Sequence, residues 1–179
     1  MIQIPYPLTM ICISLLWLLV RFAVYFKTKV FNWKREAQLL LVYICLVVVV
    51  RLTFFPFGKV DGKVQPLIFD PDNVYPFRLN FVAIKHIMDF ESQKEAYLNL
   101  FGNMFLLMPL GIIFPLVDRK LNTPLKAIAA GIAISLTIEI LQLPFFQRVT
   151  DINDLILNSA GYIAGYLICL MIKKTKKKA

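Results

Sequence analysis

A chain of 179 residues that is 59% hydrophobic and 17% charged, with a mean hydropathy of +0.68, has too little polar surface to cover a soluble domain. Its length fits one domain, and its apolar fraction places that domain in a lipid bilayer. The net charge of +9, from 20 Lys+Arg against 11 Asp+Glu, is compatible with nucleic acid, anionic lipid or a topology signal. The charges sit in loops and in the tail, so lipid and topology are expected and a nucleic-acid partner is not.

Segments of about 20 apolar residues can cross a bilayer as helices. Five are expected, near Ile4 to Phe26, Ala37 to Phe57, Leu98 to Val117, Leu125 to Leu143 and Ile152 to Ile172. The first has no Lys or Arg before its apolar stretch and is long enough to span, so it reads as a retained anchor rather than a signal peptide. The third holds Pro109 and Pro115, which predict a kink or an early end. Cys12, Cys45 and Cys169 all lie in apolar runs and read as small buried hydrophobes.

The positive-inside rule orients these spans. With the N-terminus outside, the inner segments hold 12 basic residues against two acids, Glu36 and Asp118, and the outer segments six basic residues against eight acids. The expected fold class is therefore an all-α integral membrane helical bundle of five transmembrane helices, N-out and C-in. It has a long extracytoplasmic loop over 58–97 and a basic cytoplasmic tail over 173–179, all in one membrane domain over 1–179. The loop is rich in proline and aromatic residues and suits a segment resting at the membrane interface, with a short interfacial helix over Phe81 to Phe90. His86, the single histidine, reads as a solvated or interfacial residue. The tail lysines read as a topology and inner-leaflet signal.

Ionisable groups inside a membrane are costly and usually face the bundle interior. At 1.5 Å per helical residue, Arg51 and Glu139 both lie about 21 Å from the inner ends of their helices, in the outer half of a core roughly 30 Å thick. That match invites a buried ion pair. Asn99 and Asn103 share one face of the third helix, one turn apart. On the fifth, Asp151, Asp154, Asn158, Gly161 and Gly165 advance in steps of 3, 4, 3 and 4 and fall within an arc of about 80°. On the fourth, Gln142 lies one turn beyond Glu139, and Ser135 and Gly131 continue that face in steps of four. Arg148 sits in the short outer loop. Four spans thus bring Arg51, Asn99, Asn103, Glu139, Gln142, Asp151, Asp154 and Asn158 to one outer-half layer. Arg21 stands outside it and is expected to snorkel to the inner interface. The Gly161 and Gly165 stripe, with Ala129, Gly131 and Ala133, predicts an antiparallel hairpin of the fourth and fifth helices.

The segments RLTFFP from Arg51, N-x-x-x-N-x-x-x-x-x-PLG from Asn99, S-x-x-x-E-x-x-Q from Ser135 and R-x-x-D-x-x-D-x-x-x-N-x-x-G-x-x-x-G from Arg148 occur in this order. Together they resemble the VanZ-like family of bacterial membrane proteins over roughly 51–165. One departure is visible: the family often has Asn-x-x-Pro-Phe in the long outer loop, and Asn80-Phe-Val-Ala-Ile lacks that proline. The resemblance implies a multi-pass protein of the bacterial cytoplasmic membrane and a link to teicoplanin-type glycopeptide resistance. It implies no settled mechanism.

Two readings of the polar layer stay open. Arg51 and Glu139 could form a structural ion pair, or the floor of an outward-facing site for a lipid or cell-wall headgroup. In the second reading Arg51 and Arg148 would meet an anionic group, and the partners would be membrane lipids, a lipid-linked cell-wall precursor or a glycopeptide. Asp151 and Asp154 could cap the fifth helix or share a divalent cation. Metal binding would suggest a phosphotransferase or hydrolase acting on a lipid phosphate. The chain shows no nucleophile signature, no Cys–His set and no phosphate loop, so no cofactor is expected, no catalytic residue is assigned, and an enzyme is the less favoured reading. A transporter is disfavoured, since the polar layer is confined to one half and no internal repeat is visible.

Overall fold

A computed structural model describes residues 1–56, 58–70, 72, 79–80, 93–146 and 150–178. Five of its helices are long and apolar enough to cross a membrane. The chain opens with strand β1 (Ile2–Ile4), followed by α1 (Tyr6–Thr28) and α2 (Trp33–Phe54). Short strands β2 (Lys59–Val60), β3 (Lys63–Val64), β4 (Leu67–Phe69) and β5 (Leu79–Asn80) occupy the long connection. Then come α3 (Gln93–Leu106), α4 (Met108–Val117), a 3-10 turn over Arg119–Leu121 and α5 (Pro124–Gln142). Strand β6 (Thr150–Asp151) leads into α6 (Ile152–Lys178).

Local chemistry sets most of the boundaries. Pro7 in the first turn of α1 costs no hydrogen bond, because that N–H would have no partner in any case. The helix ends where Lys29 turns left-handed (φ 53°) and donates its N–H to Tyr25 O at 2.7 Å. Asn32 caps α2 by accepting from the Arg35 N–H at 3.1 Å. At the other end of α2, Phe55 turns extended immediately before Pro56, as steric conflict with a following proline ring demands. Pro109 breaks the third span: a proline there removes an N–H and collides with the carbonyl four residues back. The chain steps out of line at Leu107 and restarts as α4 with the proline in its first turn. Pro115, by contrast, lies within α4, two residues before its end.

The long connection is not a plain loop. Asp61 (φ 49°) and Gly62 (φ 73°) make the tight turn of a β2–β3 hairpin, the Asp-Gly pairing that two left-handed residues favour. β1 pairs antiparallel with β4, setting Ile2 against Phe69 and Ile4 against Leu67. Ile4 thus belongs to a strand, not to the first span. Phe69 also bridges to Phe145, and the Phe146 N–H donates to Ile68 O at 3.0 Å. These strands close one end of the bundle, the loop end. The segment expected as an interfacial helix over Phe81 to Phe90, and His86, lie outside the described residues.

Helix α6 is the axis of the bundle and packs against α3, α4 and α5, while α2 packs on α4. In lipid, association rests on close backbone approach rather than on hydrophobic exclusion. Gly161 and Gly165 supply that approach, but not to the expected partner. A Cβ on Gly161 would overlap Met104 O, and one on Gly165 would overlap Met108 O, so the stripe lies on the α3–α4 break. Gly111 meets the backbone of Tyr162 from the other side. The α5–α6 contact is made by Ala127, Gly131 and Ser135, all buried, and a Cβ on Gly131 would lie 3.1 Å from the Tyr162 side chain. Ala129 and Ala133 are exposed, contrary to the expected hairpin face. A small residue marks where a neighbour can come close, not which neighbour comes.

Helix α1 has no buried residue and is held loosely. Ser14 Oγ and Tyr43 OH share a hydrogen bond of 2.6 Å, and Trp17 packs on Tyr43. At the end opposite the loops, Arg21 has a protein partner: its Nε donates to Glu36 Oε2 at 2.9 Å and its Nη2 pairs with Glu36 Oε1. The short turn after Lys29 brings the start of α2 beside the end of α1, which spacing along the chain does not show. Losing this half-buried bidentate pair through Glu36→Gln is expected to cost about 1 kcal/mol. Adding Arg21→Gln should then cost little more. A double-mutant cycle on thermal unfolding checks this, and two fully additive losses would contradict it.

Candidate functional site: the polar layer at the loop end

The residues of the layer come from both ends of the sequence's membrane region and meet near the loops. On α5 one face carries Ala127, Gly131, Ser135, Glu139 and Gln142 in helical steps, and all five are buried. The polar ones lie at the C-terminal end of that face, where α5 meets β6 and α6. Glu139 is 3% exposed. Its Oε2 accepts the Asp151 N–H at 3.2 Å, and its backbone carbonyl accepts from Thr150 Oγ1 at 3.2 Å. Asp154 and Asp151 both act electrostatically on this carboxylate, like charge against like. Gln142 donates from Nε2 to Thr53 O, which ties the end of α5 to the end of α2.

Helix α6 contributes the other half. Asp151 Oδ1 accepts the Asn153 N–H at 2.8 Å, capping the first turn of the helix. One turn on, Asp154 Oδ1 accepts from Asn103 Nδ2 of α3. Asn103 also reaches Asn99 Oδ1 at 3.4 Å, so the two amides share the face their spacing predicts. Asn158 follows at 1% exposure, with its Oδ1 lacking a hydrogen-bond partner among the described residues. Strand β6 runs parallel to β5 and sets Asn80 against Asp151 in register. The backbone of the weakly matching Asn80 segment therefore borders the layer.

Exposure grades across the layer. Asn99 is exposed, Asn103, Asp151 and Asp154 are half-buried, and Glu139, Gln142 and Asn158 are buried. The layer thus has an accessible rim on the α3 side and a closed floor on α5. Arg51 is not part of the floor. Its Nη1 donates to Phe55 O at 3.1 Å, and its guanidinium lies 5.5 Å from the Tyr6 ring centroid, so it braces the end of α2 against the start of α1. Arg51 and Glu139 form no ion pair: the ion pair seen among the described residues is Arg21–Glu36. Equal depth placed both groups at one level but said nothing of the direction each faces. Arg148 lies outside the described residues.

Among the described residues, this arrangement is rich in hydrogen-bond acceptors. Glu139, Asp151 and Asp154 converge with the amides of Asn99 and Asn103. A buried carboxylate needs hydrogen-bond donors, and the Asp151 N–H supplies one to Glu139. Among the described residues, no group of three His, Cys, Asp or Glu side chains could hold a metal ion. The Asp151 carboxylate is engaged in capping.

Sequence reasoning overlooked several members. Thr53 is buried and bonds Val49 O at 2.7 Å through its hydroxyl while its carbonyl receives Gln142. It lies inside the RLTFFP segment, which was the available signal. Tyr162 is 0% exposed and packs between Gly111, Gly131 and Phe114. The hydroxyls of Ser135, Ser159 and Tyr162 are buried without a hydrogen-bond partner among the described residues. Spacing marks Ser135 as part of the α5 face but does not single out Ser159 or Tyr162.

Fold and layer together define a small multi-pass membrane protein whose core is a glycine-packed α3–α4–α6 unit capped by acidic and amide side chains. A model of the VanZ/LLP1 family matches residues 40–173, about three quarters of the chain, and the chain belongs to that family. The match takes in α2 from its second turn through most of α6 and leaves out α1. No curated protein and no solved structure gives a significant match.

Proposed function

We propose that the loop end faces outward from a bacterial cytoplasmic membrane, N-terminus out and C-terminus in. There the polar layer binds the headgroup of a lipid or lipid-linked cell-wall precursor. The observation that carries the reading is the joining of Asn103 to Asp154 directly in front of the buried Glu139. Three carboxylates gathered near the membrane surface, with their rim accessible on one side, form an acceptor-rich site. The carboxylate oxygens of Glu139, Asp151 and Asp154 are acceptors suited to hydroxyl and ammonium donors. A sugar or an amine-bearing headgroup has that chemistry. Occupying such headgroups, or altering their presentation, gives a physical route to the teicoplanin-type resistance associated with the family.

Asp154→Asn keeps the size and the acceptor oxygen but removes a charge. Charge-assisted hydrogen bonds are roughly twice as strong as neutral ones, so binding of an amine- or sugar-bearing precursor should fall about tenfold, near 1.4 kcal/mol. The test is lipid binding by the purified protein, together with teicoplanin sensitivity of a host expressing it. Wild-type protein should bind and lower sensitivity, and Asp154→Asn at equal membrane levels should bind about tenfold more weakly and lower sensitivity less. If the variant matches wild type in binding, the layer is structural. If wild type binds but sensitivity is unchanged, the resistance link fails alone.

A further inference from the structure

At the end opposite the polar layer, α1, the turn after it and the start of α2 line a cleft of about 370 Å³. Leu18, Phe22, Tyr25, Val30 and Phe31 form its apolar walls, and the Arg21–Glu36 pair is set into it. The pair is mutually neutralised, so the cleft offers hydrocarbon-like walls with no net charge. Every residue of it precedes residue 40, outside the family match. The cleft thus lies outside the matched region, and it shares no residue with the loop-end layer.

The surroundings specify an occupant. Lys27, Lys29, Lys34 and Arg35 are all exposed, in the last turn of α1, in the connecting turn and in the first turn of α2. Glu36, the only acid in this part of the chain, is engaged by Arg21. Lys29 Nζ lies 5.1 Å above the Phe26 ring. Phe31 stacks edge-on to Trp33 at 4.7 Å, and Trp33 is 80% exposed, as aromatic side chains of a membrane interface are. An apolar slot whose lining residues alternate along the chain with exposed lysines matches a molecule with an acyl chain and a negatively charged head.

We propose that this cleft is a site for one anionic phospholipid, its acyl chain between α1 and α2 and its phosphate held by Lys27, Lys29 and Lys34. The Arg21–Glu36 pair links the two helices within it. The site depends neither on the bundle's orientation nor on the loop-end layer.

Both tryptophans, Trp17 and Trp33, lie on α1 and α2, so quenching by brominated lipid reports on this region. The full chain is reconstituted in vesicles containing brominated phosphatidylglycerol or brominated phosphatidylcholine. The expected result is a preference for the anionic lipid of about fivefold or more, the factor one basic side chain near an anionic surface supplies. Lys27→Gln/Lys29→Gln/Lys34→Gln should abolish that preference, and Leu18→Phe, which adds bulk to the slot without adding a tryptophan, should lower association of both lipids near Trp33. Asp154→Asn and Lys176→Gln/Lys177→Gln/Lys178→Gln should leave the preference intact. Equal quenching by the two lipids would overturn the proposal, as would a preference that survives the triple change or vanishes with the tail lysines alone.

Discussion

Gly161→Ala and Gly165→Ala are each expected to prevent assembly of the α3–α4–α6 core. The added methyl group would overlap the carbonyl oxygen of Met104 or Met108. Both obstacles are backbone atoms beside the Leu107 break, so no flexible side chain can swing aside. Overpacking of a tight contact costs typically 1–3 kcal/mol, and with backbone on both sides the upper end, about 3 kcal/mol, is expected. Weak CH···O contacts from the glycine Cα, common where helices cross closely, would be lost as well. Gly102→Ala is the matched control. Gly102 lies exposed in α3, and an added methyl group there would meet nothing within 4 Å, so the change should be neutral or should stabilise by up to about 1 kcal/mol through helix propensity. Unfolding temperature and monodisperse yield in detergent give the comparison. Similar behaviour of Gly161→Ala and Gly102→Ala would show that the α6 crossing is looser than described.

Glu139 should separate stability from binding. Glu139→Ala leaves the Asp151 N–H without its acceptor and opens a gap on the buried face of α5, for a loss of about 2–3 kcal/mol. Glu139→Gln keeps an acceptor at the same place and removes a charge that Asp151 and Asp154 oppose, so the fold should hold or gain slightly. The Gln variant also weakens the negative potential behind Asp154. Capture of an amine-bearing headgroup should then fall about fivefold, near 1 kcal/mol, while unfolding is unaffected. If Glu139→Gln unfolds the protein as readily as Glu139→Ala, the carboxylate is a structural group and the layer's charge has no binding role.

Much of this was legible in the sequence wherever periodicity carried the information. The buried face of α5, from Gly131 through Ser135 and Glu139 to Gln142, and the pairing of Asn99 with Asn103 on one side of α3 both follow from steps of three and four. The closely packed stripe on α6 was also visible. Its partner was not, because a bare Cα at Gly161 or Gly165 reports tolerance for close approach and carries no address. Arg51 shows the same limit from another side. Depth along a helix follows from counting residues, but the direction of a side chain depends on how each helix is rotated, and Arg51 turned to Phe55 and Tyr6. Arg21 and Glu36 met because a left-handed Lys29 folds α2 back beside α1. The β1–β4 pairing joins Ile2 to Phe69 across more than sixty residues, and strands of three residues have too little pattern to announce such a contact.

The central claim is that side chains from separate spans converge at one level near the loops, with α3 meeting α6 at Asn103 and Asp154. It is tested most directly by cross-linking across that contact. With Cys12, Cys45 and Cys169 replaced by alanine, cysteines at 103 and 154 should be joined rapidly by a short bifunctional thiol reagent in native membranes. Cysteines at Phe101 and Ile156, which sit on the same two helices but face outward, should not be joined. Efficient linking of 101 to 156 with none between 103 and 154 would mean that the two helices present other faces to each other, and the layer would not exist.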